Sequence, residues 1–313
     1  IDALANIQLY EGVTLYSVVL GAILVIIAAL ITLGGLKRIA AFAEKVVPFM
    51  VVLFVAGSIV IIGINYANIL PAFKAIFATA FSPVAVAGGI TGSIIKTVMV
   101  QGFKRGVFSN EAGLGSSVMV HSNSNIKEPV KQGMWGIFEV FADTMVVCTM
   151  TALVVLTSGV YADLYAPIGT YTNDATMVAE AFNTVFSWGN IGSKFIAIAI
   201  FLFAFTTVLG WDHYGTKAWE YLFGTKSVKV YKVIHLVTIM FGALLTSSLA
   251  WDISDTFNGL MMIPNLIGVV AMSSLVYQIT KNYVDRKIKG KNIKPMLSVF
   301  DDIQAEHEKE LDK

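Results

Sequence analysis

Gly102–Ser117 gathers Lys104, Arg105, Ser109, Asn110 and Glu111 among four glycines, Gly102, Gly106, Gly113 and Gly115. Hydroxyl, amide and carboxylate groups can ligate a small polar molecule, and the glycines free the backbone at low steric cost. Long apolar segments flank the stretch on both sides. In lipid a chain must satisfy its own backbone hydrogen bonds, so irregular backbone at that depth survives only where it lines a cavity. We therefore expect a broken transmembrane helix. A plain cytoplasmic loop is the alternative, and it would leave Gly113–His121 short of any span. A strand before the glycines, which a nucleotide-binding loop needs, is missing.

Two further sets of residues could carry chemistry. Glu139 and Asp143 stand four apart inside an apolar run, on one helix face. Ionisable groups in such a run bind cations, handle protons or orient a partner. They can equally be paired with Lys96, Lys104 or Arg105, and both readings stay open. Thr206 and Thr207, before Gly210-Trp211, offer hydroxyl oxygens suited to a sodium ion. Threonines in membrane helices also commonly bond the carbonyl one turn back. Trp211 reads as a pocket wall or an interface anchor. The four histidines show no spacing with carboxylates that would hold a catalytic metal.

The elements that position these residues read as membrane helices. The chain is 56% hydrophobic and 14% charged, against about 25% charged in soluble proteins. Its net charge of +1 gives no case for nucleic-acid binding, and the lone Cys148 excludes an internal disulfide. A span needs about 20 apolar residues. Val13–Leu36 is the first and, after an amphipathic piece at Ile39–Lys45, Val46–Ile64 the second, with Pro48 near its start. Ile69–Phe81 is too short to cross and is placed at the interface. The third element is 87–121, interrupted by the glycine-rich stretch, with Gly88, Gly89 and Gly92 allowing close helix approach. Gly133–Thr157, Ile191–Phe223, Val230–Leu249 and Phe257–Tyr277 follow, the last interrupted at Pro264-Asn265. A short helix is expected near Ala175–Phe186, in an external segment, and another at Val299–Leu311 in the charged tail.

Loops after odd spans carry Lys37, Arg38 and Lys45, then Lys127 and Lys131, then Lys226 and Lys229, then Lys281, Arg286, Lys287, Lys289, Lys291 and Lys294; the opposite loops carry Lys74. The positive-inside rule makes the first set cytoplasmic and places the C-terminus there. Ile1 then lies outside, which fits a chain preceded by an odd number of spans.

FKRGVFSNEAGLGSS, followed by GIFEVFADTMVVCTMTALVVLTSG, resembles the alanine or glycine:cation symporter family, the sodium–alanine symporters. LGGLKRIAAFAEKVVPFM and FLFAFTTVLGWDHYGTKAWEYLFG match in the same order, so the resemblance covers nearly the whole chain. Asp212-His213 and Thr216-Lys217 depart from the pattern. The resemblance implies an all-α integral membrane protein of LeuT-type inverted-repeat fold, with about seven transmembrane helices here and one of them broken. Residues 1–68 would end the first repeat, 69–281 would form the second and 282–313 a cytoplasmic tail, with three earlier helices of the same protein absent. It implies sodium-coupled symport of alanine or glycine across the cell membrane, sodium being the coupling ion and no other cofactor being needed. On that template Phe108, Ser109, Asn110, Ala112, Gly113 and Trp211 meet substrate, Thr206 and Thr207 meet sodium, and Asp143 and Glu111 are coupling candidates. A proton-coupled symporter is the nearest alternative. A channel would need more polar positions in these spans, and a membrane enzyme a clustered nucleophile and base.

Overall fold

Thr14 and Ser17 begin the first helix as a reciprocal pair. The Thr14 hydroxyl accepts from the Ser17 amide at 3.2 Å while the Thr14 amide donates to the Ser17 hydroxyl at 3.1 Å, satisfying two groups that a helix start otherwise leaves open. In the computed structural model, which describes residues 8–10, 13–80, 91–111, 113–160 and 174–311, helix α1 runs Leu15–Thr32. A small antiparallel pair, β1 (Gln8–Tyr10) and β2 (Val13–Thr14), precedes it. Gly34-Gly35 breaks the helix, Gly35 with φ +72°, and Arg38 donates back to the Leu30 carbonyl at 2.7 Å.

Among the described residues the remaining α-helices are α2 (Gly35–Ile64), α3 (Ile69–Ala80), α4 (Thr91–Asn110), α5 (Ser117–His121), α6 (Pro129–Val140), α7 (Thr149–Thr157), α8 (Asp174–Asn183), α9 (Ile191–Phe223), α10 (Val228–Gly242), α11 (Ser247–Ala271), α12 (Ser273–Tyr283) and α13 (Asp301–Leu311). A π-helical segment, Phe141–Cys148, joins α6 to α7, and a second, Val284–Ile288, extends α12.

Five helical stretches among the described residues are long and apolar enough to cross a membrane: Leu15–Thr32, Gly35–Ile64, Pro129–Thr157, Trp188–Phe223 and Ser248–Ala271. The other two expected elements are helices of different character. α4 carries Lys96, Gln101, Lys104 and Arg105 along its length. α10 has 15 residues, about 22 Å of helix, short of a hydrocarbon core of about 30 Å.

Three expectations about breaks need correction. The amphipathic piece Ile39–Lys45 is the first part of one 30-residue helix, and Pro48 lies in its interior rather than its first turn. Pro264-Asn265 likewise lies within α11 without interrupting it; the discontinuity falls at Met272. Proline is tolerated inside such helices when neighbouring groups take up the freed carbonyl. The glycine-rich stretch is unwound over a shorter length than expected, because Gly102 to Asn110 belong to α4.

The chain divides into two compact units, residues 1–98 with 147–251 and residues 99–146 with 252–313. The first holds two apolar clusters. Ala28, Ile31, Ile39, Phe205 and Leu209 join α1, α2 and α9, and Phe42 meets Phe205 edge-on at 5.9 Å. Ile61, Val154, Ala181, Phe182 and Ile196 join α2, α7, α8 and α9. Phe182 is fully buried and stacks on Phe195 at 5.5 Å. Asn183 fixes the entry to α9, its side-chain oxygen accepting from the Ser193 amide at 2.9 Å. Asn68 ties α3 to the end of α7 through the Thr157 carbonyl at 2.9 Å.

In the second unit the tail folds back along α12. Glu128 is almost wholly buried and takes both terminal nitrogens of Arg286 at 2.9 Å. Asn282 holds the Met296 amide at 3.0 Å and the Lys294 carbonyl at 2.9 Å. Gln304 caps the next turn, accepting from Leu297 and Ser298 and donating to the Pro295 carbonyl.

Candidate functional site

Helix α4 ends at Asn110 because the next residues leave the right-handed region: Glu111 has φ +49°, and Gly113 and Gly115 both have φ +80°. A non-glycine residue in that region is uncommon, and the Glu111 carboxylate has a local partner, the Ser116 hydroxyl, which donates to it at 2.7 Å. The Leu114 amide closes a turn onto the Glu111 carbonyl at 3.1 Å. Leu114 and Ser116 are buried, so the break is packed and not a surface excursion. α5 then resumes the helix.

Two side-chain bonds in register dock the last turn of α4 on the π-helical segment. Ser109 donates to the Asp143 carboxylate, and Thr144 donates to the Asn110 side-chain oxygen at 2.8 Å. Adjacent residues on one element thus meet adjacent residues on the other. π-helical turns are rare and cluster at functional sites, and here one presents Asp143 to the break. From α11, Asn265 donates to the Gly113 carbonyl at 2.8 Å. Below these contacts an open cavity of about 830 Å³ is lined by Asn110, Glu111, Gly113, His121, Gln132 and His307, among others. His121 bridges two of its walls, with Gln132 at 2.6 Å from Nδ1 and Glu139 at 3.3 Å from Nε2.

The sequence-derived candidates divide accordingly. Ser109, Asn110, Glu111, Gly113 and Asp143 come together in this unit. Phe108 belongs to the helical turn before the break, so the unwound backbone starts at Glu111 rather than Phe108. Ala112, Gly88 and Gly89 lie outside the described residues. Of the three cations offered as alternatives for pairing with Glu139 and Asp143, Lys104 and Arg105 each reach Asp255 at 3.4 Å, and the Lys96 side chain lies outside the described residues. Thr206, Thr207 and Trp211 are on α9, in the other unit. Thr206 donates to the carbonyls of Leu202 and Phe203 at 3.0 and 2.9 Å, and Thr207 to Phe203 at 2.9 Å. Both hydroxyls thus make the one-turn-back bond, which uses their proton and leaves oxygen lone pairs for a cation. Trp211 meets Tyr214 edge-on at 5.4 Å.

Sequence reasoning missed Thr144, Ser116 and Asn265 at the break. It also missed the role of Asp212, which is fully buried on α9 and ion-paired with Lys232 of α10, with His235 at 3.9 Å. An Asp at 212 and a Lys at 232 were both visible, but nothing in their spacing joins them.

Residues 3–297 match the sequence model of the sodium:alanine symporter family. Among curated relatives, the chain is 38% identical to a sodium/alanine symporter of Methanococcus maripaludis, over 87% of this chain and 58% of that protein. It is 36% identical to a probable sodium/glutamine symporter of Bacillus subtilis, over 87% and 55%. It is 32% identical to a sodium/proton-dependent alanine carrier protein of Bacillus sp. strain PS3, over 88% and 63%. The chain therefore spans about three-fifths of the length of the relatives it matches. With several apolar helices long enough to cross a membrane, it is a multi-pass membrane protein. The chain belongs to the sodium:alanine symporter family.

Proposed function

We propose that the protein couples the inward movement of sodium to uptake of a small neutral amino acid, alanine or glycine, by alternating access across the cell membrane. The observation that carries this reading is the packed helix break after Asn110, which sets irregular backbone and glycines beside Ser109, Asn110 and Asp143. The C-terminal carbonyls of α4 attract a substrate ammonium. Broken helices at the midplane are how inverted-repeat transporters hold amino acids, and we assign this chain helices four to ten of the LeuT-type arrangement. Three earlier helices of the same protein then complete the substrate site, and the tail from residue 282 is cytoplasmic. Thr206 and Thr207 hold sodium, which raises amino-acid affinity through linkage, while Phe108 walls the substrate. The relative named for glutamine makes an amide side chain the first competitor to test.

The test is uptake of labelled alanine by the full-length protein in proteoliposomes. Thr207→Val removes one sodium oxygen and should raise the sodium concentration for half-maximal uptake severalfold. An unchanged sodium dependence removes Thr207 from the ion site. Proton coupling is the second reading, favoured by Asp143 at the break and by the relative named sodium/proton-dependent. Uptake that persists without sodium and collapses when the proton gradient is dissipated would establish it.

A further inference from the structure

The glycine break is not held by its own segment alone; a residue 152 positions away reaches it. Asn265 Nδ2 donates to the Gly113 carbonyl at 2.8 Å. The same side chain lies against Gly115: a Cβ built at 115 would come within 2.6 Å of Asn265 Oδ1. At Gly113 a Cβ would meet Leu266 at 3.0 Å and Met262 at 3.5 Å. One face of α11, Met262–Asn265–Leu266, therefore seats on both glycines, and it fits because neither has a side chain. Asn265 follows Pro264, which has no N–H to give the Leu260 carbonyl, so α11 is locally short of one backbone bond where it presents this amide.

We propose that Asn265 is a positioning residue for the transport site: its amide clamps the Gly113 carbonyl and so sets the shape of the unwound segment that the substrate meets. This rests on the reading of the break as part of the amino-acid site. A carbonyl oxygen has two lone pairs. Asn265 uses one, which fixes the direction of the other, and a carbonyl so oriented suits the ammonium of an amino acid. The requirement at 265 is for a short donor. An aspartate has the same shape but turns the donor into a charged acceptor facing a carbonyl, and a leucine fills the space without bonding.

The experiment uses the full-length protein in nanodiscs and proteoliposomes, with Asn265→Asp, Asn265→Leu and Gly115→Ala, the last attacking the same contact from the other side. Amide hydrogen exchange across 111–117 is read without substrate, and alanine uptake is read as half-saturation and maximal rate. Loss of one hydrogen bond to a half-buried carbonyl predicts exchange in that segment faster by about tenfold, and half-saturation for alanine higher by about tenfold with a smaller change in maximal rate. Global thermal stability gives the comparison that a merely structural role would move instead. Exchange unchanged in the Asn265 variants overturns the clamp whatever Gly115→Ala does, since alanine also strains a backbone held at φ +80°. Faster exchange with unaltered half-saturation overturns its role in positioning substrate. If the wild-type protein takes up no alanine, the functional reading has failed, and the exchange result still decides whether Asn265 holds the break. Should one Asn265 variant fail to fold, the other reports the same contact.

Discussion

Asp212 shows how much can rest on one side chain. Its carboxylate has no solvent exposure, and its counter-ion, Lys232, is itself largely buried. Removing one partner of such a pair strands a charge in a low-dielectric interior, which costs about 3–5 kcal/mol. Lys232→Met should therefore destabilise the protein by that order, measured as a loss of thermal midpoint in detergent, while Asp212→Asn with Lys232→Met should recover most of it. A double variant no better than the single would show that the pair is not what supports this region. At this scale the sequence was informative about type and silent about partners. Ser109, Asn110, Glu111 and Asp143 could be chosen because polar groups in apolar surroundings are conspicuous. Their bonds to Asp143, Thr144 and Ser116 depend on helix geometry that spacing of residues does not disclose. The basic pair Lys104-Arg105 drew attention for the same reason, and it is half exposed and engaged with Asp255.

Among the elements, α9 was read from hydropathy with both ends correct, because Asn190 (φ +57°) and Gly224 (φ +78°) end it abruptly. Pro48 and Pro264 misled, since a proline in a long apolar helix costs a hydrogen bond without stopping the helix. The π-helical segment was invisible: over eight residues its pattern cannot be told from an α-helix. The tail gives an element-level prediction. Lys289 at 3.1 Å and Lys291 at 3.2 Å hydrogen-bond the Asp285 carboxylate and hold its pKa below the ordinary value. A carboxylate with a lowered pKa stabilises the fold above its unfolded value, and that contribution fades as pH falls through the ordinary carboxylate range and below it. Limited proteolysis after residue 284 should quicken as pH drops from 6 toward about 3, and Asp285→Asn should flatten that dependence. Arg286→Ala should loosen the tail at neutral pH by leaving the buried Glu128 unpaired, again read by proteolysis.

For the whole molecule, membership of a symporter family and five apolar helices make a multi-pass membrane protein. Composition alone had indicated the class, because 14% charged residues cannot cover a soluble surface. The exposed Ile, Leu, Val and Phe side chains along α1, α2, α10 and α11 are suited to lipid or to other helices. The lysine-rich loops predict sidedness. In a Cys148→Ser background, Lys294→Cys should react with a membrane-impermeant maleimide only after intact cells are permeabilised. Labelling of intact cells would reverse the orientation.

The segment Phe141–Cys148 holds more residues per turn than the α-helices on either side. That surplus is a reserve of travel. Tightened to α-geometry, the segment would turn its side chains by up to about 100° per residue shifted. Asp143 and Thr144 would then part together from Ser109 and Asn110, with little change in the length of the rod. On the transport reading proposed above, a deletion of Ala142, which takes up that slack, should part both bonds and slow exchange of substrate between the two sides of the membrane.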